Sequence, residues 1–130
     1  MIDFGKRFDA LTRELASKDA FERTSAFQAF HVEWAEAVKT MDPETAIRQY
    51  KLAEDCQWTI GSYATGSGEG LASMAELYGI MGKRAAVLER LKRFGEALAV
   101  WKEIQADPNG LGENTPATAN IRRLEEKLKK

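Results

Sequence analysis

Apolar side chains recur at steps of three and four along most of this chain, and that spacing commits it to helices. Phe4, Phe8, Leu11 and Leu15 mark one face over about 2–16. Phe27, Phe30, Trp34, Ala37 and Val38 form a second, heavily aromatic stripe over about 20–40. A third runs through Ala46, Ile47, Tyr50, Ala53 and Ile60, and a fourth from Leu71 through Met74, Leu77, Tyr78, Met81, Ala85, Leu88 and Leu91. Ala97, Leu98, Trp101 and Ile104 give a fifth over about 94–106, and Ile121, Leu124 and Leu128 a last. The punctuation agrees. Ser17 and Asp19 offer capping oxygens, and Asp42-Pro43 places an acceptor before a residue suited to the first helical position. Thr115-Pro116 opens the final stripe. Composition points the same way: 19 alanines stand against ten valines plus isoleucines, and alanine is the best helix former. The expected fold is all-α, with about six antiparallel helices in a single domain over 1–130.

Glycine interrupts this pattern. Gly66, Gly68 and Gly70 fall within five residues, so Gly66–Gly70 reads as a loop ahead of the fourth helix. Gly79 and Gly82 lie inside that helix, where each costs ~1 kcal/mol relative to alanine. A kink or a close helix contact is the expected reason for them.

The chain also repeats itself. Ala46, Tyr50 and Ala53 are matched by Ala97, Trp101 and Ile104: small, aromatic, apolar, at the same steps. A helix precedes each triplet across a short turn, with Phe30, Trp34 and Ala37 on one and Met81, Ala85 and Leu88 on the other. In such a hairpin the small residue permits close approach, and the aromatic fills the gap to the next hairpin.

On these residues the segment of about 78–109 resembles a tetratricopeptide repeat. It has small Ala85, apolar Leu88, aromatic Phe94 at the turn, Glu96-Ala97-Leu98, Trp101, and a closing Asp107-Pro108-Asn109. The segment of about 27–56 is similar to the same motif through Asp42-Pro43-Glu44, Ala46-Ile47 and Tyr50, but sets bulky Trp34 where a small residue is usual. The two lie 51 residues apart, longer than the family's repeat of about 34. The resemblance implies a short α–α superhelix and a groove lined by the first helix of each pair, with 116–129 as a cap. It also implies a non-catalytic protein- or peptide-binding module, adaptor or chaperone-like. An immunity-type protein that masks a toxin and a self-assembling subunit or homo-oligomer are the alternatives, ahead of an enzyme. Projecting away from the stripes, the expected partner-binding positions are Gln28, His31, Ala35 and Lys39 on the second helix. On the fourth they are Lys83, Ala86, Glu89 and Arg90.

Other chemistry is sparse. A zinc site needs several ligands, and His31 is the single histidine. Cys56 has no histidine near it in sequence and reads as a packing residue. The Gly66–Gly70 run lacks the Lys-Ser/Thr of a phosphate loop. No metal, cofactor or catalytic residue is therefore expected. Nineteen basic against twenty acidic side chains leave no field for nucleic acid. Arg122, Arg123 and Lys127 are interrupted by Glu125 and Glu126 and read as a solvated helix face. No apolar run approaches the ~20 residues of a membrane span. Acids and bases are mixed through residues 1–15, unlike a signal peptide. With one cysteine, this fits a cytoplasmic setting.

Overall fold

A computed structural model describes residues 2–63, 67–107 and 115–129, with the backbone alone for 67–71. Six α-helices account for most of them: α1 Phe4–Glu14, α2 Ala20–Val38, α3 Pro43–Ser62, α4 Ser67–Arg90, α5 Phe94–Gln105 and α6 Ala117–Leu128. A 3-10 turn, Leu15–Ser17, follows α1, and no strand occurs among the described residues. The caps follow from the sequence. Asp3, Asp19 and Asp42 each accept a backbone N–H from the first turn of the helix they precede. Pro43 sits in the first turn of α3, and the Thr115 hydroxyl accepts the Ala117 N–H at the start of α6. Residues 67–70 are helical, so α4 begins earlier than the glycine run suggests. The first turn has no intrahelical acceptors for its N–H groups, and glycine weakens a helix there less than in its interior. Gly66 lies outside the described residues, as does 108–114 between α5 and α6.

From α2 to α6 each helix packs on the next in sequence, and α4 joins two cores. The first holds Ala35, Ala46, Tyr50, Ala53, Ile80 and Val87, from α2, α3 and α4. The second holds Leu77, Tyr78, Met81, Ala85 and Leu88 from α4, with Ala97, Val100, Trp101, Ile104, Ala117, Ile121 and Leu124 from α5 and α6. All six residues of the repeated triplets are buried, one triplet in each core.

The second helix departs from its single-stripe reading. Phe30 is buried and Phe27 and Trp34 half-buried under α1, where Phe4 stacks on Trp34 at 5.5 Å and Phe8 meets Phe27 at 5.5 Å. A second face, His31, Ala35 and Val38, turns to α3. Ala35 is fully buried and Ala37 is exposed, the reverse of the expected pattern. α1 starts level with Trp34, so nothing covers Ala37 a turn later. The small residue that lets α2 approach α3 is Ala35.

The two glycines of α4 also part company. A Cβ on Gly82 would stand 3.0 Å from Cη2 of Trp101, whereas one on Gly79 would meet nothing within 4 Å. Gly82 is the close contact; Gly79 faces open space. Gly79→Ala is expected to raise stability by ~1 kcal/mol through helix propensity alone. Gly82→Leu should cost ~1–3 kcal/mol by overpacking against Trp101. Urea unfolding of both variants checks the contrast, and equal effects would place the Trp101 ring elsewhere.

Candidate functional site

Three buried polar residues on α3 hold its neighbours. Gln49 Oε1 accepts from Nδ1–H of His31 at 2.7 Å. Glu54 accepts two bonds from the Arg84 guanidinium of α4, at 2.5 and 3.0 Å. Gln57 donates to the Ser73 hydroxyl at 2.9 Å. His31 is thus buried between α2 and α3, with an aromatic contact to Phe8 of α1, and is not a solvent-facing groove position. Burial lowers its pKa below the ordinary 6.5, against the opposing pull of the Gln49 bond. The consequence for stability has a definite sign. Below pH 6.5 the unfolded chain takes up a proton that the folded one resists, so stability falls as pH drops through that window. His31→Gln should flatten the fall in stability that begins just below pH 6.5 in the parent. An unchanged slope there, by denaturant titration, would contradict the buried neutral ring.

The other expected positions scatter. Lys39 and Arg90 are exposed at the C-terminal ends of α2 and α4. Glu89 accepts from Arg123 and, at 3.2 Å, from Lys127 of α6. Those bonds, Arg123 first, hold its carboxyl below the usual range. Lys127 also lies 4.9 Å from the centre of the Phe94 ring. Arg123 and Lys127, read from sequence as a solvated face, fasten α6 to α4 and α5. Glu33, paired with Arg7 at 3.1 Å, and Glu36, paired with Lys83 at 2.5 Å, tie α2 to α1 and α4. Cys56 is half-buried, and burial pushes its thiol up, away from thiolate chemistry. Among the described residues, no three His, Cys, Asp or Glu side chains are gathered to hold a metal ion.

Gln28 and Lys83 do come together, in a groove along α4. One reach of it, about 410 Å³, runs between α2 and α4 and is lined by Gln28, Ala29, Val32, Gly79, Ile80 and Lys83, with Glu76. A second, about 630 Å³, continues past Gly79 and Lys83 to Gly82, Ala86, Trp101 and the start of α6 at Thr115 and Pro116. Gly79 and Lys83 line both, so the two reaches are continuous. The floor is a run of small residues, Ala75, Gly79, Gly82 and Ala86, at steps of four, three and four. Lys83 carries the charge at its middle. Lys39, Glu89 and Arg90 lie outside this lining. Such a shape admits a backbone or a helix closely. The small-residue run was visible in the sequence, since the same four residues fall on one helical face. No family model, curated protein or solved structure matches the chain.

Proposed function

We propose that this protein is a non-catalytic protein- or peptide-binding module of tetratricopeptide-like architecture, which receives an extended or helical segment of a partner along α4. The supporting observation is the continuity of the groove across Gly79 and Lys83. A surface meant only for solvent has no reason to hold two glycines in a helix interior, at ~1 kcal/mol each. Gly82 makes room for Trp101, but Gly79 makes room for nothing within the fold. In this reading its missing side chain leaves space for the partner, and Lys83 with Gln28 supplies donors to the partner's carbonyl or carboxylate oxygens. The resemblance of 78–109 to the repeat family points to the same use of the first helix in each pair.

The test is capture of partners from cells that make the protein. Gly79→Trp fills the groove from an open position and leaves both cores untouched. A partner held by the parent should be lost with Gly79→Trp and kept with changes on the outer face of α6. The opposite pattern would reject the groove.

A further inference from the structure

A second cleft opens on another face of α4, between α3 and α5. Its volume is about 570 Å³. Met74, Leu77 and Met81 form its floor, and Trp58 stands at its α3 wall, 66% exposed. That is the most exposed aromatic ring among the described residues and an unusual place for a tryptophan without a partner. The charge around it is one-sided. Glu54 and Asp55 from α3, Glu103 from α5 and Asp107 just beyond its end line the cleft, against Lys51 alone among the described lining residues. Arg84 offsets Glu54 from behind, and Lys51 sits 3.9 Å from both Glu54 and Asp55. The Tyr78 hydroxyl donates to Asp107 at 2.6 Å and fixes the α5 end of the rim. Among the described residues, and leaving Asp107 aside, Lys51 and Arg84 stand against Glu54, Asp55 and Glu103, so the rim is net negative.

An apolar, methionine-containing floor inside an acidic rim complements a helix with one apolar and one basic face. Methionine adapts to irregular side chains, and an exposed tryptophan supplies a rigid anchor. We propose that this cleft is a docking surface for a basic amphipathic segment of a partner protein. Its apolar face lies on Met74, Met81 and Trp58, and its cations lie against Asp55 and Glu103. The cleft shares Tyr78 with the longer reach of the groove that contains Gly79, but Met74, Met81, Trp58, Asp55 and Glu103 line the cleft alone.

Calorimetric titration with a synthetic amphipathic helix of leucine and lysine tests this. The expected result is saturable one-to-one binding, absent for the leucine–glutamate counterpart. Trp58→Ala should weaken it about tenfold. The reversal Asp55→Lys with Glu103→Lys should do likewise, more at low salt than at high. All three positions are exposed, so folding should hold, as helical circular dichroism can verify. Glu125→Lys with Glu126→Lys changes the net charge equally on α6 and should leave binding unchanged. No binding, equal binding of both peptides, or equal weakening by the two reversals would overturn the proposal. So would a dimer of the chain alone that Trp58→Ala dissolves, since the cleft would then belong to a second copy.

Discussion

Trp101→Ala should lower the stability of this protein by ~3–5 kcal/mol. The indole is 8% exposed, lies in the α4–α5–α6 core, and stands where a side chain on Gly82 would be. Truncation removes a large apolar surface and opens a cavity that helices held by Ala85, Ala97 and Ile104 cannot close. Total stabilities of domains are typically ~5–15 kcal/mol, so the loss is a large share. Denaturant unfolding should show the midpoint fall. Melting like the parent would mean that Trp101 is not the filler between successive hairpins, and the repeat would fail at its best-matched segment.

Arg84→Ala should cost ~3–5 kcal/mol as well, for a different reason. Glu54 is 4% exposed and receives both of its short bonds from Arg84. Removing the guanidinium strands a carboxylate in the α3–α4 contact, with Lys51 only at 3.9 Å. The double variant Glu54→Leu with Arg84→Met removes both charges and should recover most of the loss, because apolar replacements of buried pairs are often close to neutral. If Arg84→Ala costs no more than a surface change, about 0.5 kcal/mol, the pair does not join α3 to α4.

The legibility of these features in the sequence varied with how each helix is covered. α5 and α6 each bury one face, so their stripes named Ala97, Trp101, Ile104, Ile121 and Leu124 correctly. α2 is covered on adjacent faces by α1 and α3. A single-stripe projection therefore sent His31 and Ala35 to solvent and Ala37 to the core. The tie between Glu54 and Arg84 was invisible because residue type argued for exposure. Gln57 was more accessible to reasoning, since it continues the series Ala46, Tyr50, Ala53 by four. Of the groove, the helical projection gives Gln28, Lys83 and Ala86. Gly79 stands out as a glycine in a helix interior, but its lack of any neighbour is a property of the packed molecule. Lys39, Glu89 and Arg90 lie beyond it because the groove follows the middle of α4 and not its end.

The claim that matters most is that a partner lies along α4, and site-specific photo-crosslinking inside the cell tests it most directly. A photoreactive residue would be placed at Gly79, at Ala86, and at Glu125 on the outer face of α6. The account predicts crosslinks to the same protein from positions 79 and 86 and none from 125. Crosslinks from 125 with silence at 79 and 86 would contradict it.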